Sequence, residues 1–188
     1  MKDLTFIFPK TITGEDLRTL RKKLAFSQRE FALFLGVSKS TVERWEGKNE
    51  TLTGPVVTLY DYLSRDPRLA EKAVLPERTM PMRLLYYCGN MLCTVIDVNE
   101  AARRVEIRDY VSDPLHRAFG VLNDPTYEDY EEFLRSRCFP ETRDKIKFEL
   151  QRLGIPFYDP LLIIEKTEGR MADDSFWIRI ERNSYGRA

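Results

Sequence analysis

Apolar positions along this chain change their spacing partway through. Leu17, Leu20 and Leu24 recur at helical intervals with polar and basic residues between them, which puts all three on one side of an amphipathic helix. Thr13, with Asp16 three residues on, caps its start. Residues 24–49 then read as two short helices joined by a tight turn. Ser27 and Glu30 form a capping box for the first of these, and Phe31, Ala32, Phe34 and Leu35 give it an apolar face. Gly36 ends it, because glycine takes the left-handed conformation without steric cost. Val37 fills the turn and Ser38 caps the next helix. That helix keeps Val42 and Trp45 for the core and leaves Lys39, Ser40, Thr41, Glu43 and Arg44 facing out. A polar loop over 47–51 follows. Gly54-Pro55 opens a fourth helix with the stripe Val56, Leu59, Tyr60 and Leu63. Asp66-Pro67 stops it, and residues 68–73 add one more helical turn. Ahead of all this, residues 2–9 read as a short extended arm ended by Pro9.

Two prolines, Pro76 and Pro81, interrupt the helical spacing and stiffen a link. Past them the pattern is that of strands. Residues 84–88, the pair Gly89-Asn90 and residues 91–98 read as strand, tight turn, strand. After a turn over 99–103, residues 104–111 alternate polar and apolar, so one face of that strand is wet. These three make an antiparallel meander. Helical spacing then returns. Asp124-Pro125-Thr126 starts a helix to about Arg137, with Tyr130, Phe133 and Leu134 inward. Pro140 starts another, with Ile146, Leu150 and Leu153 inward and Gly154 as its stop. Asp159-Pro160 starts a third through Lys166, ended near Gly169. Residues 175–180 form a last strand able to join the edge of the meander, and the last few residues are loose. The fold class expected is an all-α helix-turn-helix domain over 1–75, a linker over 76–81, and a small α+β domain over 82–188, an antiparallel sheet with helices.

An apolar first helix, a glycine turn and a short polar second helix form the pattern of a helix-turn-helix reader. Residues 12–75 resemble the phage-repressor (Cro-type, XRE) family of such domains. The resemblance is carried by Leu20-Arg21-Lys22-Lys23-Leu24, Ser27-Gln28-Arg29-Glu30-Phe31-Ala32, Leu35-Gly36-Val37-Ser38, Thr41-Val42 and Arg44-Trp45-Glu46-Gly47. Thr53-Gly54-Pro55 and Asp66-Pro67 are similar to the subgroup of HigA-type antitoxins and related autoregulators. The family implies that the first residues of the second reader helix, and one a turn later, reach the major groove. Lys39 and Ser40 match the former and Arg44 the latter; Arg or Lys donates to guanine O6 and N7. Gln28 and Thr41 match positions that touch phosphates, and Ser27, Lys48 and Asn49 are suited to join them. Trp45 is read as core. A shorter resemblance lies in the second domain. The runs 133–143, Leu153-Gly154 and 173–178 look like a segment preceding the kinase core in some HipA-like toxin kinases, which implies a toxin–antitoxin or phage-island setting. No glycine-rich loop or catalytic-loop signature of a kinase is present.

Composition narrows the classes. In 188 residues, 43% are hydrophobic and 32% charged, a globular balance. No run approaches the roughly 18 apolar residues of a membrane helix, and the N-terminal apolar run is too short for a signal peptide, so a cytoplasmic location is expected. Charge is zero overall, 30 against 30, but residues 1–75 carry 13 Lys+Arg against 10 Asp+Glu. Within 18–48 the basic residues are Arg18, Arg21, Lys22, Lys23, Arg29, Lys39, Arg44 and Lys48, against three acidic ones. A basic patch is the footprint of a phosphate-binding surface.

Other clusters carry little. Cys88, Cys93 and Cys138 have no close pair and, with His116 alone, make a poor zinc set; they read as buried thiols, with no metal and no cofactor. Glu128, Asp129, Glu131 and Glu132 suit the positive end of a helix. Asp173, Asp174, Glu165 and Glu168 lack the support an acid/base or cation site needs. No catalytic residue is expected and the chain is read as no enzyme. The function expected is sequence-specific binding of double-stranded DNA by a dimeric transcriptional repressor, on an inverted-repeat operator of its own operon. The alternative is an antitoxin or inhibitor whose residues 82–188 bind a protein partner while the first domain autoregulates.

Overall fold

A computed structural model describes residues 5–182. The start of the expected arm, residues 2–4, and the tail expected to be loose lie outside them. The chain divides into two compact units, Met1–Pro76 and Glu77–Ala188.

The first unit is helical. It contains α1 (Gly14–Lys23), α2 (Gln28–Leu35), α3 (Lys39–Lys48), α4 (Pro55–Arg65) and the short α5 (Arg68–Lys72). Both expected capping boxes form: Thr13 with Asp16 at α1 and Ser27 with Glu30 at α2. Gly36 adopts φ 68° at the end of α2, and Ser38 caps α3 by accepting from the Thr41 N–H. Leu17, Leu20, Phe31, Ala32, Val42, Val57 and Leu63 are buried together, with Trp45, Phe34 and Leu35 packed against them. Residues 5–9 form no strand, although the Phe8 ring lies 5.4 Å from that of Tyr62. The loop expected over 47–51 is shorter than read. Helix α3 continues to Lys48, and β1 (Ile12–Thr13) pairs antiparallel with β2 (Thr51–Leu52). A two-residue ladder leaves no period to detect.

The second unit is α+β. Strands β3 (Met82–Cys88), β4 (Met91–Asn99), β5 (Arg104–Asp109) and β6 (Phe176–Arg182) form one antiparallel sheet in the order β5-β4-β3-β6. The meander is therefore present, and the last strand joins its β3 edge. Met82, Leu84, Tyr86, Ile96, Val98 and Ile178 meet helices α6 (Tyr127–Ser136), α7 (Ile146–Leu153) and α8 (Pro160–Thr167) through Tyr130, Phe133, Leu134, Leu150, Ile163 and Ile164. Each such burial stabilises the fold by about 1.5–3 kcal/mol. On the opposite face Arg83 makes a two-pronged ion pair with Asp97, at 2.7 and 2.6 Å. Along β5, Arg104, Glu106 and Arg108 are exposed and alternate with half-buried Val105, Ile107 and Asp109, the wet face expected.

One helix starts later than the proline signal implies. Pro140 opens a turn in which Arg143 N–H donates to its carbonyl, and Lys145 at φ 60° cannot belong to a helix, so α7 begins at Ile146. The two distant runs 133–143 and 173–178 are joined by one side chain. Buried Arg137 donates to both carboxylate oxygens of Asp174 (2.6 and 3.0 Å) and to the carbonyls of Gly169 and Phe176. Cys93 and Cys138 are buried as read; Cys88 is only half-buried. Burial pushes the Cys138 thiol up to about 12.

Candidate nucleic-acid interface

Helix α3 presents a polar side and a packed side, and the helical angle decides which residue takes which. At about 100° per residue, Val42 and Glu46 point the same way, and both are buried. Ser40, Arg44 and Lys48 then fall on an i, i+4 row on the far side, and all three are exposed. Lys39 is exposed beside them with its ammonium 2.9 Å from Glu43, and Arg44 Nε lies 3.6 Å from Glu50. Pairs this exposed hold each other weakly, so both cations remain exchangeable toward an external anion or base edge.

Around this row the other residues singled out in the sequence hold structural partners. Ser27 Oγ accepts the Glu30 N–H, and Glu30 in turn accepts the Ser27 N–H at 2.7 Å. Ser38 Oγ lies 2.9 Å from Ser40 Oγ and 2.8 Å from Thr41 Oγ1. Asn49 takes a left-handed conformation, φ 47°, and its Oδ1 accepts the Glu15 N–H at 2.9 Å. Gln28, half-buried, donates an amide N–H to Glu46 Oε2 at 2.9 Å. The eight residues are thus gathered on α3 and at the start of α2, and three of them, Ser27, Gln28 and Asn49, also brace the fold.

Glu46 is the residue that sequence reasoning missed. Its side chain is 1% exposed, and it accepts from Arg21 Nε at 2.7 Å, Arg21 Nη2 at 2.9 Å and Gln28, with Arg18 Nε 3.7 Å away. Burial pushes this carboxyl up, but the hydrogen bonds from Arg21 and Gln28 and the charges of Arg21 and Arg18 outweigh it and hold the group below its ordinary value. Arg21 also donates to the Phe26 carbonyl. It is therefore turned inward and leaves the basic patch to which the sequence assigned it. A glutamate on a polar helix reads as solvated; the one available signal was that its angle on α3 matches that of Val42.

A second close fit fixes α3 from the side of α1. A Cβ on Gly14 would lie 1.9 Å from the Trp45 carbonyl oxygen, so only glycine permits this approach. Gly14 N–H donates to the Glu50 carbonyl, Glu15 N–H to Asn49, and Asp16 N–H to Thr13. The first three free N–H groups of α1 are thereby satisfied, two of them by the segment leaving α3.

Among the described residues, no helix is long and apolar enough to cross a membrane. A family model described as "Helix-turn-helix" matches residues 17–47, from within α1 nearly to the end of α3. No curated protein and no solved structure matches the chain. The matched segment contains Ser40 and Arg44 of the exposed row and the contacts of Glu46 with Arg21 and Gln28, and it supports a DNA-binding regulator.

Proposed function

We propose that this chain is a cytoplasmic, dimeric transcriptional repressor that binds an inverted-repeat operator in its own promoter. The observation that carries the reading is the exposed Ser40–Arg44–Lys48 row on a helix whose other side is locked by Glu46 and Val42. One helix-turn-helix unit covers few base pairs, so symmetric pairs on half-sites are the rule. Arg44 and Lys39, with Ser40, read bases. Thr41 and Lys48 grip phosphates, and so do Ser27, Gln28 and Asn49 through the groups their fold contacts leave free. Arg44→Ala should weaken cognate binding by about 1–3 kcal/mol and relax preference at one base pair per half-site. Titrations on cognate and scrambled duplexes at several salt concentrations test this. Equal loss on both duplexes would make Arg44 a backbone contact only. No loss on either would remove the reading of α3 as the recognition helix.

A second reading, an antitoxin or inhibitor that also autoregulates, is favoured by apolar side chains left exposed in the second unit: Leu115 at 85%, Val121 at 74% and Phe148 at 66%. A protein partner that covered them would gain the free energy of apolar burial. Purification of the native chain with a stoichiometric second protein would support it, and recovery of the chain alone would count against it.

A further inference from the structure

We propose that the second unit self-associates through the β5 edge, two copies pairing antiparallel about Ile107 so that the four-stranded sheet continues into a second copy. The inference rests on the dimeric reading above and names the surface that makes the dimer.

The sheet has two edges, and they differ. On β6 the even-numbered residues turn their backbone outward. Ile178 N–H there already donates to the Glu168 carbonyl at 2.7 Å, so the residue that ends α8 occupies the middle of that edge. On β5 the alternation follows from Tyr110, whose N–H donates to the Cys93 carbonyl on β4. Even-numbered residues therefore bond β4, and Val105, Ile107 and Asp109 direct N–H and C=O away from the sheet. Among the described residues none of these backbone groups has a partner. The β4–β5 ladder runs from Asn99↔Arg104 to Thr94↔Asp109 without a register shift, and β5 has no proline. Bulges, prolines and covering elements, three of the usual protections of an edge, are absent from this one; the charges it does carry, Arg104, Glu106 and Arg108, alternate in sign and so admit a complementary strand.

The occupant follows from charge. An antiparallel copy centred on Ile107 brings Glu106 opposite Arg108 of the other copy, and the two-fold axis makes that pair twice. Ile107 meets its own counterpart, and this half-buried side chain, packed on the helix-covered core, extends the core across the axis. Other registers in phase with the outward groups are worse. Centring on Glu106, Arg108 or Asp109 sets like charges face to face, which opposes pairing. Centring on Val105 drives Arg103, at φ 47°, into the ladder where an extended residue is required. The existing contact of Glu106 with Arg104, 2.6 Å between exposed side chains, is weak enough to exchange.

The test uses the full chain in sedimentation equilibrium. Wild type should be a dimer. Glu106→Arg and Arg108→Glu each turn two attractive pairs into two repulsive ones and should raise the dimer dissociation constant roughly tenfold to hundredfold. Mixing the two variants should restore dimers, because a heterodimer regains both opposite-charge pairs; the rescue also shows that each variant is folded. A dimeric wild type that neither variant weakens would overturn the β5 interface and leave the dimeric regulator standing. A monomeric wild type that still binds its operator would overturn both the interface and the dimer, but not the DNA reading. Weakening by Glu106→Arg alone would place the axis at Val105 and reject the pairing stated here.

Discussion

Replacing Glu46 by alanine should cost the first unit a large part of its stability. The substitution removes two charge-assisted bonds from Arg21, at 2.7 and 2.9 Å, and one from Gln28 at 2.9 Å. It leaves the Arg21 guanidinium, only 13% exposed, without its counter-charge. Breaking a buried pair by deleting one partner costs about 3–5 kcal/mol. Water reaches part of Arg21, so the lower end, about 3 kcal/mol, is expected. A unit spanning Met1–Pro76 has about 4–11 kcal/mol in total, at 0.05–0.15 kcal/mol per residue, so a quarter or more is lost. Thermal unfolding should shift down by about 12–24 °C, at 4–8 °C per kcal/mol. Trp45 fluorescence in a Trp177→Phe background reads this unit alone. Replacing both partners by apolar residues, Arg21→Met with Glu46→Leu, should recover most of the loss, since no charge is then stranded. A shift below about 4 °C for Glu46→Ala would mean a contribution under ~1 kcal/mol, that of a surface pair, and would refute the locking role given to Glu46.

Gly14→Ala should destabilise the same unit by more than about 2 kcal/mol, because its new methyl meets a backbone carbonyl that cannot rotate aside; calorimetry checks this, and a wild-type melt would show that α1 can slide. In the second unit the hydrogen bond from Arg137 holds the Asp174 carboxyl below its ordinary value against the effect of burial. A depressed folded pKa gives stability that is present above the unfolded value and lost as pH falls through the folded one. The urea midpoint gap between wild type and Asp174→Asn should therefore be wide at pH 7 and shrink progressively as pH falls below the unfolded aspartate value of about 3.9. Thiol labelling of the native protein at pH 8 should modify Cys88 first, with Cys93 and Cys138 protected by burial; equal rates at all three would contradict the packing.

The elements that could be read from sequence are those whose signals are local. Ser27 and Glu30, Gly36 and Ser38 lie within a few residues of the ends they define, and each forms the cap its chemistry implies. The meander was legible for the same reason, since two continuous apolar runs about a Gly-Asn turn and one alternating strand need no distant partner. What escaped depends on distance along the chain. Glu46 is buried only because Arg21 and Gln28 arrive from other helices, and the role of Gly14 requires the Trp45 carbonyl. Lys145 in a left-handed conformation delays α7, and lysine carries no preference that would announce it. The candidate interface was half legible. The outward row follows from helical angle, whereas the bracing duties of Gln28 and Asn49 required the folded partners.

The junction of α1 and α3 has a consequence for motion. Gly14 and Glu15 N–H groups end on Glu50 and Asn49, so the first turn of α1 cannot fray without releasing the exit of α3, and the reverse holds. The two helix ends form one opening unit, and their amides should exchange with solvent at a common rate. On the reading of α3 proposed above, a helix seated in a groove at a fixed depth is thereby spared independent fluctuation at its far end. Ordering of that end is completed on folding and does not have to be supplied when DNA arrives.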